Sequence, residues 1–585
     1  MEDDLPTEYD VVVVGTGMTE SIVAAAASRI GKKVLHLDSN EYYGGLWATF
    51  NFDGLQKWIQ DLKSTRSSQN DADIEIEAGE KFLKVSNQYS TVENIDETWL
   101  ISKDEDLPAL STKESQTEVT GDEQENKTTD DNIDNAENKD HTKHWTIERI
   151  KKEYRKFNID LAPKLLFARG ELVELLISSN IARYAEFRAV SRVATFMDGK
   201  LTQVPCSRAD VFANKTVSVI EKRMLMQLLV SCMDQGADSS EFDGYRDKTF
   251  VEYLNTKNLT PIVKHYVMQA IAMATDKTSC RDGVTRTKHF LNSLGRYGNT
   301  PFLWPMYGSG ELPQCFCRLC AVFGGVYCLK RQLDGVVIDN EKCKAIITGK
   351  QRLTLEHLVV GQGHLPSEII DSTGENKISR GIFITDRSIM QGEKENLTLL
   401  YCPPDEAEQE PVTLIELGPS TNACPQGLFM IHMTCKRTKT AKEDLAYVVE
   451  KFLGNEAPEP NVTKYPNDMH TQTVSSNKND DQYNKIDNKD KHDPKPHVLW
   501  SLYLNLPASD IKLNSSAPKN IHLCSGPDLD LDFDFAVNQA KEIFKTMYPD
   551  DDFLPRAPDP EEIVLEGDEV PGPKFDDNPT EEVEK

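Results

Sequence analysis

Apolar and polar residues follow one another along the chain in blocks that predict a mixed α/β protein. The β-branched run at residues 9–14 is typical of a buried parallel strand, a helical stretch continues to Ile30, and residues 33–37 form a second strand. From about 209 to 292 apolar side chains recur at helical spacing, whereas from about 293 to 453 short β-like runs alternate with turns. The pattern predicts a sheet domain built from several segments, with a smaller helical domain inserted into it.

Two internal stretches and the end of the chain interrupt this pattern with polar sequence. Residues 101–145 hold 13 acidic and 5 basic side chains, and residues 550–585 hold 14 and 3. Such composition buries too little apolar surface to fold, so we expect disorder there. The predicted division is a sheet domain in the four segments 1–102, 146–208, 293–454 and 498–549, a helical domain at 209–292, an acidic insertion at 103–145, a polar linker at 455–497 and an acidic tail at 550–585.

The charge of the chain narrows the classes of function. Its 585 residues include 66 basic and 95 acidic side chains, a formal net charge of −29. This balance excludes a general binder of nucleic acids or of anionic membranes, because both need a basic surface. The chain starts without a secretory signal, no apolar run reaches about 18 residues, and its 12 cysteines are sparse. We therefore predict a cytosolic protein with reduced thiols.

The opening of the chain has the layout of a dinucleotide-binding unit. A strand, a tight glycine turn, a helix, a second strand and an acidic residue follow in order, and a double glycine then resembles the turn of flavin-binding proteins. This order predicts a Rossmann-like sheet of the FAD/NAD(P)-binding type. The residues of this nucleotide loop are Gly15, Gly17, Glu20, Asp38, Gly44 and Gly45.

Two features predict that the nucleotide loop is degenerate and holds no cofactor. Glu20 stands where the third glycine of the motif belongs, and its carboxylate competes with a pyrophosphate for the N–H groups at the start of the helix. At about 4 Å such a charge repels a phosphate by roughly 4 kcal/mol. Carboxylates also precede the last helix, where they suit a free helix start better than a diphosphate. They are Asp528, Asp530, Asp532 and Asp534. A bound flavin stays open as the alternative.

The stretch from 294 to 329 contains a second candidate site. Pro313 and the glycine pair at 324–325 predict a helix that ends in a turn and leads into a strand. If the helix begins by Glu311, then Glu311 and Arg318 lie two turns apart on one face. Two interpretations stay open, namely a platform that contacts another protein and a solvated helix with an ordinary pair of charges.

The cysteines of this stretch do not predict a metal site. Cys315, Cys317, Cys320 and Cys328 lack the spacing of a metal-binding pair, and the first three point different ways around a helix. We interpret them as small apolar residues of the core and predict no metal.

Six blocks of the sequence resemble, in order, the conserved blocks of the Rab GDP-dissociation inhibitor and Rab escort protein superfamily. They are residues 15–20, 32–38, 40–45, 158–164, 295–298 and 307–314. The resemblance covers nearly all the chain outside the insertion, the linker and the tail. The length of the insertion and the sequences at 314–325, 380–388, 415–420 and 551–560 resemble the escort-protein branch in particular.

This resemblance implies a function. Proteins of the escort branch bind newly made Rab GTPases in the GDP state, present their C-terminal cysteines to the Rab geranylgeranyltransferase heterodimer, and deliver the lipidated product to membranes. The chain is then an accessory, non-catalytic protein that meets membranes transiently. Selectivity for GDP follows if the contact surface reads the switch loops, which reorder when the γ-phosphate is present.

The resemblance also implies site residues. The Rab-binding platform is carried over onto Tyr43, Glu311 and Arg318. Val326 and Cys328, from the strand that follows the glycine pair at 324–325, are carried over with them. Tyr266 is the candidate for docking of the prenyltransferase. Met224, Met226 and Met268 are candidates for contact with the geranylgeranyl lipid, because methionine side chains are adaptable. An ordinary helical core is the alternative for each methionine.

Two rival functions remain. A Rab GDP-dissociation inhibitor would extract and recycle prenylated Rabs without binding the transferase. A flavin-dependent enzyme of the amine-oxidase type would carry a visible flavin absorbance.

Overall fold

The computed structural model describes residues 5–64, 77–85, 91–101, 145–206, 210, 218–235, 240–371, 374–392, 397–454 and 495–556. The predicted acidic insertion except Trp145, nearly all of the polar linker and most of the acidic tail lie outside these residues.

The described elements follow the apolar pattern, with helices between residues 219 and 293 and mainly strands between residues 326 and 436. The α-helices are α1 (Met18–Arg29), α2 (Phe52–Lys63), α3 (Ile147–Lys152), α4 (Glu171–Ser178), α5 (Val219–Gln235), α6 (Phe250–Asn255), α7 (Pro261–Tyr266), α8 (Cys280–Ser293), α9 (Glu311–Val322), α10 (Ala441–Phe452) and α11 (Asp534–Met547). The strands are β1 (Glu8–Val14), β2 (Val34–Leu37), β3 (Thr49–Phe50), β4 (Lys81–Lys84), β5 (Glu93–Trp99), β6 (Ile159–Asp160), β7 (Leu166–Phe167), β8 (Phe187–Ala189), β9 (Arg192–Met197), β10 (Lys200–Gln203), β11 (Phe302–Pro305), β12 (Val326–Cys328), β13 (Gly335–Asp339), β14 (Lys342–Thr348), β15 (Gln351–Gly361), β16 (Ile370–Asp371), β17 (Ile378–Thr385), β18 (Thr398–Cys402), β19 (Val412–Leu417), β20 (Phe429–Lys436), β21 (Val498–Leu506), β22 (Lys512–Leu513) and β23 (Ile521–Cys524).

The first large sheet carries the dinucleotide-type opening. Its strands lie in the order β12, β2, β1, β15, β14, β13 and β4, and β23 pairs with the carboxyl half of β15. The strands from β12 to β15 and β23 run parallel, whereas β14, β13 and β4 run antiparallel. Within β1, Val11 to Val14 are almost fully buried, as a central parallel strand requires. The Rossmann-like expectation is confirmed.

Helix α1 is the centre of the layer that covers one face of this sheet. It packs against α9 on one side and α11 on the other. Its four consecutive alanines, Ala24 to Ala27, are completely buried, and small side chains let neighbouring helices approach closely. The apolar side of α9, with Leu312, Phe316 and Cys320, belongs to the same core as α1. The orientation of α9 is therefore fixed by α1.

The second large sheet has the order β10, β9, β18, β19, β20, β17, β21 and β5. Helix α10 covers one face with Leu445 and Val448, and the residues of α6 to α8 share a core with the other face. Inside this sheet the Arg192 guanidinium lies 3.5 Å from the Glu416 carboxylate, and both side chains are buried. Such a pair is costly to break, because either partner alone would be an uncompensated buried charge.

The helices α5 to α8 lie between residues 219 and 293, and a π-helical turn, Val267–Ile271, continues α7. They pack on β9 and β18 through that turn. No helix among the residues with described positions is both long enough and apolar enough to cross a membrane.

The helical region offers a test of its packing. Gly283 lies in α8, where a Cβ would stand 2.1 Å from the ring of the fully buried Phe250. Alanine is favoured over glycine in helices by about 1 kcal/mol, but here its methyl group must displace the ring. We expect Gly283→Ala to destabilise the protein by about 1–3 kcal/mol, measured as a lower midpoint of thermal unfolding.

The matched control is Gly244→Ala, since Gly244 is exposed and its Cβ would meet no atom within 4 Å. Its unfolding midpoint should stay close to that of the unchanged chain. A Gly283→Ala protein as stable as the control would show that the ring has room to move.

Candidate functional site

A cleft opens where the parallel strands of the first sheet end. The carboxyl ends of β1, β2, β15 and β23 reach the same edge, which is the ligand-binding edge in folds of this type. The cleft has a volume of about 360 Å³. Its floor consists of the glycine turn at 15–17 and the segment 361–364, and its walls include Tyr42, Leu46 and Trp58.

The carboxyl group of Glu20 fills the corner where the fold family places a diphosphate. Glu20 is 6% exposed. A Cβ added to Gly17 would lie 2.5 Å from Glu20 Oε2, and one added to Gly361 would lie 2.6 Å from Oε1. Glu20 also accepts a hydrogen bond from its own backbone N–H, one of the donors that a helix start offers to an anion. The residues present therefore do not fit a dinucleotide in this corner.

The block by Glu20 is not the charge repulsion that the sequence predicts. Burial raises the pKa of Glu20 to about 8, and the nearby Asp38 acts in the same direction. At neutral pH the carboxyl group is mostly protonated, so it hinders a phosphate by occupying its space. This corrects the expectation of a carboxylate anion, which rested on an exposed helix start.

Asp38, at the end of β2, is occupied by internal hydrogen bonds. One carboxylate oxygen accepts from the Thr16 hydroxyl at 2.5 Å, and the other accepts from the backbone N–H of Asn40 at 2.8 Å. Thr16 in turn accepts from the N–H of Gly44 at 2.8 Å. In dinucleotide-binding proteins this acidic residue binds a ribose. Here it fastens the glycine turn to the double glycine.

The acidic segment before α11 is also tied down. Lys164, whose side chain is 3% exposed, pairs with the carboxylate of Asp528 and donates to the carbonyl of Asp530. Asp534 accepts from the backbone N–H of Glu171, at the start of α4. Burial raises the pKa of Asp532 to about 7. Of the four carboxylates that precede α11, Asp532 accepts from the backbone N–H of Asp534 at the start of α11 and Asp534 reaches the start of α4. The ion pair of Asp528 with Lys164 is not predicted by the sequence.

Helix α9 presents the second candidate site. It begins at Glu311, so Glu311 and Arg318 lie on one face as anticipated. Arg318 is exposed. Glu311 is half-buried, and this burial raises the pKa of its carboxyl group. Gln314 and Val322 are exposed on the same side. We call Glu311, Gln314, Arg318 and Val322 the α9 stripe.

Arg318 is held by an aromatic ring from another part of the chain. Its guanidinium carbon lies 4.7 Å from the centre of the Tyr184 ring, which is 43% exposed. Below this contact, the Cys315 thiol lies 3.8 Å from the Tyr184 carbonyl, to which it donates. A cation over an aromatic face is stabilised by about 0.5–1 kcal/mol at an exposed site. Arg318 is therefore oriented before any partner arrives.

Tyr43 lies on the side of the sheet that α9 covers. Its ring centre is 5.6 Å from that of Tyr327, and Tyr327 is 4.6 Å from the imidazole of His36. His36 is buried and donates from Nε2 to the carbonyl of Gly15 at 2.6 Å. These contacts join Tyr43 to the floor of the cleft.

Val326 and Cys328 point the other way. They lie on β12, at the end of the sheet order, and alternate along the strand with Tyr327. Tyr327 faces Tyr43, so Val326 and Cys328 project to the opposite face, where they pack on the core of Leu35 and Leu37. The structure brings Tyr43, Glu311 and Arg318 to one side of the sheet and does not bring Val326 and Cys328 there.

The three cysteines of α9 face the protein interior. Cys315, Cys317 and Cys320 are buried, and burial raises their pKa values to about 11, 12 and 11. Cys317 lies 3.2 Å from the Ser21 hydroxyl, away from the Tyr184 contact of Cys315. Protonated thiols that point in different directions serve as core packing.

Tyr266 does not lie on a surface. It is 2% exposed and belongs to the core of the helical region, so it cannot contact a transferase without local unfolding. The apolar pattern around it predicts a helix but cannot show which face is covered. Met268 is likewise buried at 4%, whereas Met224 is half-buried and Met226 is 39% exposed.

Sequence reasoning missed two further residues. Tyr184 carries no motif, and its contact with Arg318 joins positions far apart in the chain. Gln362, which lines the cleft, follows the apolar run of β15 inside a Gly–Gln–Gly turn. A glycine turn directly after a buried strand is a usable signal of a site at the sheet edge.

Comparison with known proteins places the chain in a family. The family model GDP dissociation inhibitor matches residues 4–97 and 135–455, and the model RAE1/2 domain I, C-terminal region, matches residues 467–529. The chain belongs to the GDP dissociation inhibitor family.

Its full-length relatives include Rab proteins geranylgeranyltransferase component A 1 of Homo sapiens, which is 38% identical over 97% of this chain and 95% of the relative. Rab proteins geranylgeranyltransferase component A of Drosophila melanogaster is 38% identical over 97% of this chain and 94% of the relative. Among solved structures, a Rab GDI from Plasmodium falciparum superposes with a TM-score of 0.58 at 17% identity, covering 93% of this chain and 99% of that chain. That likeness shows the shared fold. The resemblance to the escort-protein branch is confirmed.

Glu20 gives a pH prediction. In the unfolded chain its carboxyl group ionises near pH 4.5, whereas in the folded chain it stays protonated up to about pH 8. Between these values only the unfolded state loses the proton, so stability falls as pH rises, by up to about 1.4 kcal/mol per pH unit. Glu20→Gln removes this titration. Relative to the unchanged chain, we expect the free energy of unfolding of the variant to rise by on the order of 3 kcal/mol between pH 4.5 and pH 7.

Thermal unfolding followed at stepwise pH measures this difference. Glu542→Gln, on an exposed position of α11, is the control and should leave the pH slope unchanged. Parallel slopes for the unchanged chain and Glu20→Gln would mean that Glu20 is ionised in the folded protein.

Proposed function

We propose that this chain is an escort protein for Rab GTPases, which binds GDP-bound, unprenylated Rabs and presents them to Rab geranylgeranyltransferase. The observation that carries the proposal is its similarity, over nearly its whole length, to proteins named as component A of that transferase. The match of residues 467–529 to a model of the RAE1/2 type adds support from a second stretch of the chain.

The α9 stripe is the proposed centre of Rab contact, together with Tyr43. It offers a cation and a carboxyl group two turns apart, beside the exposed ring of Tyr184. Aromatic and arginine side chains are the residues that most often carry binding energy in protein interfaces. Because α9 is fixed on α1 through its buried side, little conformational freedom is lost when a partner binds.

The chain makes and breaks no bonds in this proposal. Its contribution is positioning, since it holds the mobile tail of the Rab near the transferase and so raises the effective concentration of the reacting cysteines. The filled phosphate corner at Glu20 agrees with a scaffold that has left redox chemistry.

Contact with the geranylgeranyl chain is proposed for α5. This helix exposes four large apolar side chains, and such exposure is costly unless a partner covers it. They are Val219 at 82%, Ile220 at 73%, Met226 at 39% and Val230 at 50%. Met224 is half-buried beside them. Met268 is withdrawn from this proposal because it lies in the core. Delivery of the lipidated Rab then involves transient contact with membranes.

A reconstitution separates this proposal from its rival. The full chain, purified Rab geranylgeranyltransferase and an unprenylated GDP-loaded Rab should elute together from gel filtration as one complex. A Rab GDP-dissociation inhibitor would instead bind only the prenylated Rab and leave the transferase free, and that result would overturn the proposal.

Reversal of the charge at Arg318 tests the platform. We expect Arg318→Glu to weaken binding of the GDP-loaded Rab at least tenfold, about 1.4 kcal/mol, because it places a repulsive charge at the centre of the stripe. Binding is measured by calorimetry. Arg155→Glu is the matched control, since Arg155 is also exposed and also lies over a tyrosine, 5.3 Å from the ring of Tyr154. Equal affinities of the two variants would remove Arg318 from the platform.

Tyr184 should act through Arg318. Tyr184→Ala removes the ring that orients the guanidinium, so we expect binding of the Rab to weaken about two- to fivefold, the equivalent of an exposed cation–π contact. Tyr184→Phe keeps the aromatic face and should bind as the unchanged chain does. If phenylalanine is as damaging as alanine, the hydroxyl group and not the ring matters.

A further inference from the structure

The cleft at the end of the first sheet is open although its phosphate corner is filled. Its volume of about 360 Å³ lies within the range of small-molecule sites in proteins, which is roughly 300–1,000 Å³. Glu20 closes the inner end, but Tyr42, Leu46, Trp58 and Val92 still line an outer part with aromatic and aliphatic walls. The cleft therefore has room for a small ligand beside Glu20.

Polar groups in the inner wall of this cleft lack partners. Gln362 is 5% exposed, and neither its amide oxygen nor its amide nitrogen has a hydrogen-bond partner within the described part of the chain. Glu20 Oε2 and the indole nitrogen of Trp47 are also buried and have no hydrogen-bond partner among the described residues. A buried polar group without a partner lowers the stability of the fold by about 1–3 kcal/mol. A ligand that bonds these groups would therefore bind favourably.

The position of Gln362 makes its amide available. A Cβ on Gly526 would lie 3.4 Å from Gln362 Nε2 and 3.9 Å from Leu46 Cδ1, so the amide stands beside a glycine, where no side chain competes for it. Gln362 itself lines the cleft, and both polar atoms of its amide are free to bond a ligand there. An amide of this kind matches a ligand edge with an adjacent donor and acceptor.

The charges around the cleft decide between classes of ligand. Asp38 and Asp61 line it, and Glu20 occupies the start of α1, so a phosphate placed at that helix start would meet carboxyl groups in place of free N–H donors. Tyr42, Leu46, Trp58 and Val92 in the outer part suit a flat ring better than a hydrated ion. The ligand that fits is uncharged.

We propose that this cleft binds an uncharged, flat heteroaromatic molecule, with its ring between the aromatic and aliphatic walls and its donor–acceptor edge on the Gln362 amide. The site adjoins the platform, because Tyr42, Gly44 and Gly45 line the cleft while Tyr43 lies beside Tyr327. It does not depend on the proposed function, since a ligand can bind here whichever GTPase the platform contacts.

The experiment compares neutral probes with their phosphorylated forms on the full chain. Riboflavin and adenosine are the neutral probes, and FMN and AMP are their monophosphates. Binding is followed by ligand-observed NMR saturation transfer and by calorimetry. We expect at least one neutral probe to bind with a Kd below about 1 mM and its monophosphate to bind at least tenfold more weakly. Absence of binding by both neutral probes, or equal binding of a monophosphate, would overturn the proposal.

Two variants place the probe in the cleft. Gln362→Leu removes the amide and should weaken binding of the neutral probe at least tenfold, whereas Gln227→Leu, on the exposed side of α5, should change nothing. Gly526→Ala adds a methyl group that meets no atom closer than 3.4 Å, so it should fold and still intrude on the ligand. If Gln362→Leu fails to fold, Gly526→Ala decides alone. Unchanged affinity in a folded variant would show that the probe binds elsewhere.

Discussion

The burial of one carboxyl group, that of Glu20, is the constraint around which the first sheet is arranged. Glycines at 15, 17 and 361 leave the space in which this group sits, and any side chain at Gly17 or Gly361 would collide with it. Because this carboxyl group is enclosed, its pKa rises to about 8. It leaves no room for an anion at the start of α1, and α1 is the helix on which α9 and α11 pack.

That layer explains how a fold of the dinucleotide-binding type can present a protein-contact surface. Helix α9 is apolar on the side that packs on α1, whereas its exposed side carries Glu311, Gln314 and Arg318. The buried thiols and rings fix the helix, so the charges of the exposed side are presented at constant spacing. Tyr184, from the 3₁₀ turn Ala182–Tyr184, then orients Arg318 from outside the helix.

Local patterns predicted the elements, and contacts between distant segments decided the rest. The strand–turn–helix opening and the start of α9 at Glu311 could be predicted, because glycine and proline act on the residues beside them. The faces of Val326 and Cys328 and the burial of Tyr266 depend on which neighbours pair or pack, and a single sequence does not contain that information. The protonation of Glu20 depends on enclosure by Gly361, more than 300 residues away in the chain.

The cleft and the platform share one structural element, the turn from Tyr42 to Gly45. Thr16 donates to Asp38 and accepts from the N–H of Gly44, so the glycine turn at 15–17, Asp38 and the pair Gly44–Gly45 form one network. Gly44 has φ +95°, and a Cβ there would stand 3.0 Å from the backbone nitrogen of Ala48, so the turn has little freedom to adopt another shape. A rigid turn of this kind fixes the position of Tyr43 relative to the cleft and allows little movement between them. Whatever fills the cleft would therefore act on Tyr43 by stabilising the arrangement already present, and its effect on partner affinity would be limited to the freedom that Tyr43 still loses on binding.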